Sequence, residues 1–154
     1  MYNVEKILSY IKDNRVNEAQ KMLIDDFKDR PGSFYYYLGL INLKKEDYTS
    51  AIVCFKTARS NGVISHLLSY NLSVCYVNLD KNEEACEELI RTIQEDAEFF
   101  KAYTNLCNVY LRLKKPHEAY RTIKYGQAIF SDEENNLETL TKIEKNLYRN
   151  KYIG

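Results

Sequence analysis

Like residues return every 34 positions along this 154-residue chain. Ala51, Ala85 and Ala119 keep that interval, and so do Leu38, Leu72 and Leu106. The small residues Gly39, Ser73 and Cys107 follow it, as do the apolar residues Phe55, Leu89 and Ile123. Such a period is the length of two short antiparallel helices with their turns, and pairs of that kind bury their faces only by stacking. The expected fold is therefore all-α, and a stacked helical array builds a groove, not a catalytic pocket.

Turn chemistry divides the chain where the period predicts. Pro31-Gly32 reads as the turn before the first clear repeat. Asn61-Gly62 ends its second helix, where glycine accepts a left-handed conformer cheaply. Lys45-Glu46-Asp47, Asp80-Lys81-Asn82 and Lys114-Lys115-Pro116 separate the helices within the three repeats. Nine helices are expected, near 3–13, 16–28, 33–44, 48–60, 66–78, 82–94, 100–112, 116–129 and 134–150. Gly39, Ser73 and Cys107 are small enough for paired helices to approach closely, with the periodic alanines as the contact from the other side.

The last helix reads as a cap. Leu137, Leu140, Ile143 and Leu147 form one narrow apolar stripe, while Glu138, Lys142, Lys145 and Asn146 face elsewhere. The tail Tyr148–Gly154 reads as frayed.

Composition narrows the function. Lysine plus arginine and aspartate plus glutamate balance at 22 each, so no overall positive field attracts nucleic acid or an anionic membrane. No window approaches the roughly 18 apolar residues of a membrane span, and the start lacks the basic and apolar regions of a signal peptide. A cytoplasmic location is the expectation. Cys54, Cys75, Cys86 and Cys107 form no C-x-x-C pair and fall on helical stripes, which reads as small buried thiols in a reducing compartment. His66 and His117 have no nucleophile pattern around them, and no phosphate loop, dinucleotide fingerprint or zinc-helix motif occurs. With only five glycines, phosphate-cradling loops are hard to place. No catalytic residue, metal or cofactor is expected, and the chain is read as not an enzyme.

The repeating residues resemble the tetratricopeptide repeat (TPR) family. The first repeat carries the motif most fully, in Tyr35, Leu38-Gly39, Asp47-Tyr48, Ala51, Phe55 and Ala58. The second matches at Leu72, Ser73, Tyr76, Ala85 and Leu89, and the third at Leu106, Cys107, Tyr110, Ala119 and Ile123. There are departures. Ser69 replaces the aromatic that opens the leading helix, Asn42 stands where Tyr76 and Tyr110 occur, and the closing proline is Val63, Ala97 and Ser131. The resemblance implies a right-handed α-solenoid of stacked antiparallel helix pairs with a C-terminal capping helix. It divides a single domain, 1–154, into a degenerate repeat 1–31, repeats 32–65, 66–99 and 100–133, and a capping helix and tail 134–154. In 1–31, Asn17-Glu18-Ala19, Leu23 and Pro31 match, with the leading helix out of step by a residue or two.

In TPR proteins the leading helices line a concave groove that receives an extended peptide or a partner helix. By resemblance the partner-binding residues here are Tyr36, Tyr37, Leu40, Tyr70, Asn71, Val74, Lys101, Asn105, Asn108 and Arg112. Asn71 and Asn105 stand at equivalent places, where a carboxamide offers both donor and acceptor to a peptide unit whatever its side chains. The carboxylate clamp of chaperone-binding TPRs is not matched: Asn71 and Lys101 fit it, but Tyr36, Leu40 and Asn105 replace its other members. Residues 1–31 could instead cover Tyr36 and Tyr37. The acidic run Glu83-Glu84-Ala85-Cys86-Glu87-Glu88 reads as a solvated outer face.

The resulting expectation is a non-enzymatic protein–protein interaction module holding a peptide or helix of another protein. A small secretion-type chaperone and a structural subunit that self-associates, as a homodimer for instance, are the alternative readings. No nucleic-acid partner and no membrane insertion are expected.

Overall fold

A computed structural model of the chain describes residues 3–150. Within them the backbone forms α1 (Val4–Lys12), α2 (Val16–Phe27), α3 (Pro31–Lys44), α4 (Tyr48–Ser60), α5 (His66–Asn78), α6 (Asn82–Glu95), α7 (Phe100–Arg112), α8 (Pro116–Ile129) and α9 (Glu134–Arg149). No strand occurs among the described residues. The expected helices recur with two differences. Pro31 and Gly32 do not form a turn; they open α3, where a proline at N1 gives up no needed N–H. Gly32 sits there because a Cβ would stand 3.0 Å from both the Asn61 carbonyl and Val63 Cγ2. Tyr148 and Arg149 are not frayed but helical, because Leu147 is buried and the Tyr148 ring meets Tyr120 edge-on at 6.2 Å. Met1, Tyr2 and the rest of the tail, 151–154, lie outside the described residues.

The chain falls into two compact units, Met1–Leu79 and Asp80–Gly154. In the first, α1 pairs with α2 and α3 with α4, and the leading helices α1, α3 and α5 touch in order. Ile7, Ala19, Leu23, Phe27 and Ile41 make one core, with Phe34, Tyr37 and Leu38 packed against it. The α3–α4 pair is close because Gly39 has no side chain: an added Cβ would stand 2.6 Å from the fully buried Phe55 ring. Asn42, at the motif's tyrosine place, donates from Nδ2 to Cys54 Sγ at 3.5 Å. Ser69, at the motif's aromatic place, takes a hydrogen bond from the Arg59 guanidinium at 3.1 Å. The first helix pair keeps the register of the next at 32 residues, since Ile7, Ala19 and Leu23 are buried where Gly39, Ala51 and Phe55 are. Both of its helices share the offset, so the missing two residues come out of the short link between Phe27 and Pro31.

In the second unit α6, α7, α8 and α9 pack in sequence. Tyr103, Cys107, Ala119, Ile123, Phe130, Leu140 and Leu147 form its core. Cys107 Sγ faces the Ala119 carbonyl at 3.6 Å, the leading-to-trailing contact that small residues permit. Tyr103 is fully buried, and its hydroxyl donates to the Ala97 carbonyl at 2.8 Å. The register runs on into α9: Leu140 follows Leu106 by one period and is likewise buried. Helix α9 therefore sits where a fifth leading helix would, with Leu140 and Leu147 inward and Glu138, Lys142, Lys145 and Asn146 exposed.

Polar contacts lock α9 onto α8. Lys124 Nζ lies 2.9 Å from Glu144 Oε1, and Gln127 Nε2 donates to Glu144 Oε2 at 2.9 Å and to Thr141 Oγ1 at 3.3 Å. The acidic run of α6 is solvated at Glu83 and Glu87 but not at Glu88, which is only 8% exposed. Helical spacing puts Glu88 on the inward stripe with Ala85, Leu89 and Thr92.

The turns that follow the leading helices share one backbone device. Asn14, Glu46, Asp80 and Lys114 all adopt φ between 55° and 61°. At Glu46 the N–H donates to Leu43 and the next N–H, of Asp47, to Asn42. Asn14 and Arg15 repeat this with Ile11 and Tyr10, and Lys114 and Lys115 with Leu111 and Tyr110, so α1, α3 and α7 close with the paired bonds of a left-handed C-terminal cap.

Candidate functional site

Each unit presents a leading-helix face. In the first, α3 offers Tyr36, Tyr37 and Leu40, and α5 offers Tyr70, Asn71 and Val74; all six are half-buried. The two tyrosines of α3 are braced differently. Tyr36 stands 5.3 Å from the Tyr37 ring and 6.0 Å from Phe55. Tyr37 leans on Phe27 of α2 at 5.3 Å, so the N-terminal pair covers part of it. Burial pushes both phenols above their ordinary pKa, and both stay neutral donors through the physiological range. Rings fixed in this way offer contact area at little further cost in ordering.

On α5, Ser73 turns its hydroxyl back to the Tyr70 carbonyl at 2.6 Å, so no polar group of Ser73 is left unpaired inside. Val74 helps line an open recess of about 640 Å³ with Asn14, Leu43, Lys44, Glu46, Tyr48 and Asn78. The Asn78 amide is tied down, donating to the Val74 carbonyl at 2.8 Å. Leu43, Lys44 and Asn78 were not among the expected binding residues. The signal for them was present: they lie three or four places beyond Leu40 and Val74, one turn further along the same helical face.

The second unit's face is carried by α7. Lys101, Asn105, Asn108 and Arg112 follow at intervals of four, three and four, which places them along one side of the helix. Lys101, Asn108 and Arg112 are exposed and Asn105 is half-buried, while Ala102, Tyr103, Leu106, Cys107 and Val109 fill the opposite side. Arg112 reaches Asp80 at 3.9 Å, with both side chains more than half exposed, a pairing that holds it weakly. Thus four of the expected residues line up on one helix and six on two touching helices.

Two further recesses escaped the sequence reading. In the second unit Ile90, Ile93, Tyr103, Tyr110, Arg121 and Tyr125 surround an apolar hollow of about 380 Å³ on the trailing-helix side. In the first, Tyr10 and Met22 floor a smaller one, about 280 Å³, rimmed by Glu18, Lys21, Asp25 and Asp26.

The thiols are built into the packing. Burial pushes Cys75 and Cys107 up to about 12 and also raises Cys54 and Cys86, so none is a ready nucleophile at neutral pH. Among the described residues no group of three histidines, cysteines or carboxylates could hold a metal ion, and no helix is long and apolar enough to cross a membrane.

No protein-family model matches the chain. Over 84 residues, 54% of this chain, it is 31% identical to the protein STIP1 homolog of Dictyostelium discoideum, and spans about 15% of that protein's length. The fold is similar to that of crystalline MamA, with a TM-score of 0.72 and 21% identity over 87% of this chain and 76% of that one. It is similar too to a tetratricopeptide repeat protein from Parabacteroides merdae, with a TM-score of 0.71 and 16% identity over 93% of this chain and 59% of that one. The 34-residue register and these likenesses together give the chain the tetratricopeptide-repeat fold.

Proposed function

We propose that the chain is a non-enzymatic interaction module, and that its leading-helix faces hold a peptide or helix of another protein. The observation that supports this best is the division of labour on α3, α5 and α7. One side of each supplies the core, while the other leaves tyrosines, carboxamides and cations in reach of solvent. Affinity would come from Tyr36, Tyr70 and Leu40, with Asn71, Asn105 and Lys101 setting orientation. The free thiols suit a reducing compartment such as the cytoplasm.

The test is the affinity of an identified partner, measured by calorimetry. Replacing Tyr70 and Asn71 together by alanine is expected to cost about 2 kcal/mol or more. Unchanged affinity in a variant whose helix content is intact would remove α5 from the binding surface.

A further inference from the structure

We propose that the apolar hollow on the trailing-helix side of the second unit binds a small hydrophobic monocarboxylate. This goes beyond the reading of the leading-helix faces and does not depend on it. Three helices wall the hollow: Ile90 and Ile93 come from α6, Tyr103, Leu106 and Tyr110 from α7, and Tyr125 from α8.

Three tyrosines would make a polar surface if their hydroxyls were free, but two are already committed. Tyr103 donates to the Ala97 carbonyl at 2.8 Å, and the Tyr110 hydroxyl bonds the Cys86 thiol. Thr122, which also lines the hollow, gives its hydroxyl to the Glu118 carbonyl at 2.9 Å. These residues therefore offer ring carbon and a methyl group to an incoming molecule. The Tyr125 ring is held 6.1 Å from that of Tyr103, which fixes one wall in advance. Ile90 and Tyr125 remain 37% and 53% exposed, so a ligand laid across them removes apolar surface from water.

Two polar side chains complete the lining, Gln94 and Arg121, both exposed. Neither makes a hydrogen bond or ion pair among the described residues. Glu118 stands one turn before Arg121 on α8 and leaves it unpaired, and no acidic side chain lines the hollow. The unmatched charge is thus positive, and its planar fork suits a carboxylate. The Gln94 carboxamide can donate a further hydrogen bond to the same group. The recess at Tyr10 sets three carboxylates against Lys21, and the one at Val74 matches Lys44 with Glu46. Neither joins an apolar lining to an unmatched cation.

Volume limits the ligand. The hollow measures about 380 Å³, near the low end of the roughly 300–1,000 Å³ found for small-molecule sites. At about 30 Å³ for each water-sized group it holds about a dozen heavy atoms. A medium-chain acid such as decanoate fits, with its head on Arg121 and its chain along Ile90, Ile93 and Tyr125.

The probe is sodium decanoate, kept below its micelle-forming concentration and titrated into the full chain with labelled isoleucine methyl groups. Decyltrimethylammonium keeps the alkyl chain and reverses the charge; butyrate keeps the charge and loses most of the chain. Saturable shifts are expected at Ile90 and Ile93, while Ile24 and Ile64, which are more exposed, stay put. Decanoate should bind about tenfold more tightly than either control. Arg121→Gln should remove about tenfold of that affinity and leave decyltrimethylammonium unaffected. Ile90→Ser should weaken decanoate by about tenfold as well. Both residues are exposed, so circular dichroism should show the helices unchanged.

No saturable shift at Ile90 and Ile93 would overturn the proposal, and so would equal shifts at Ile24 and Ile64. Decanoate binding no tighter than a control, or affinity that survives Arg121→Gln, would do the same. None of these results bears on the leading-helix faces, whose own test is the Tyr70 and Asn71 double variant.

Discussion

The missing Cβ of Gly39 lies where the Phe55 ring sits, with ring atoms 2.6 and 2.7 Å from its ideal position. The two residues belong to the leading and trailing helices of one pair, and the ring is fully buried. Close packing of α3 on α4 is thus a property of one absent atom group, and a buried aromatic ring has no cheap way to step aside.

Gly39→Ala follows as the first prediction. Alanine gains about 1 kcal/mol of helix propensity over glycine, but overpacking against Phe55 costs about 1–3 kcal/mol. The variant should be net destabilised. Urea unfolding checks this, and a midpoint equal to or above wild type would show that the pair can spread without loss.

Glu46 and Lys114 hold left-handed conformers that cost a side-chain-bearing residue about 1 kcal/mol. Glu46→Gly and Lys114→Gly relieve that strain, though they also loosen the unfolded chain. Each should raise thermal stability by about 0.5 kcal/mol. A drop at both sites would mean that these side chains contribute more than their backbone geometry costs.

The clamp between α8 and α9 gives a pH dependence with a definite sign. Burial alone would push the Glu144 carboxyl up, but hydrogen bonds from Lys124 and Gln127 and the Lys124 charge outweigh it and hold it below the ordinary glutamate value. The stabilisation is therefore complete above the unfolded-state pKa and is lost as pH falls through the folded one. Glu144→Gln should lower the urea midpoint at neutral pH and make little difference at about pH 3. A gap that persists in acid would assign the effect to shape rather than charge.

Thiol reactivity tests the packing of the two units. Cys75 and Cys107 are fully buried and their pKa values are pushed up to about 12, so a disulfide reagent should modify them in native protein only as fast as the structure opens. Half-buried Cys86 should react first, and all four quickly in urea. Fast native labelling of Cys107 would contradict its place between α7 and Ala119.

Much of this was legible because helical periodicity and repeat spacing report the same thing. Ala51, Ala85 and Ala119 are all fully buried, as one register requires. The register also ran further than the motif suggested. Leu140 continues it, but the capping helix was recognised only by its stripe, since Thr141 and Glu144 replace the motif's small and aromatic residues.

Other features depend on partners distant in sequence. Glu88 lies inside an acidic run whose composition says surface, and only the helix phase reveals it as inward. Two of the left-handed turns were hidden because Glu46 and Lys114 are not residues that ask for that conformation. Arg59 supplying the neighbour for Ser69 needed two helices in place before it could be seen. Among the candidate site residues, the alignment of Lys101, Asn105, Asn108 and Arg112 follows from spacing alone. The bracing of Tyr37 by Phe27 does not.

Hydrogen–deuterium exchange of the full chain, with and without an identified protein partner, tests the central claim most directly. Partner-dependent protection is expected along α3, α5 and α7, with α4, α6 and α8 exchanging as they do in the free protein. Protection confined to the trailing helices, or to the hollow around Ile90 and Tyr125, would contradict a binding surface built on the leading helices.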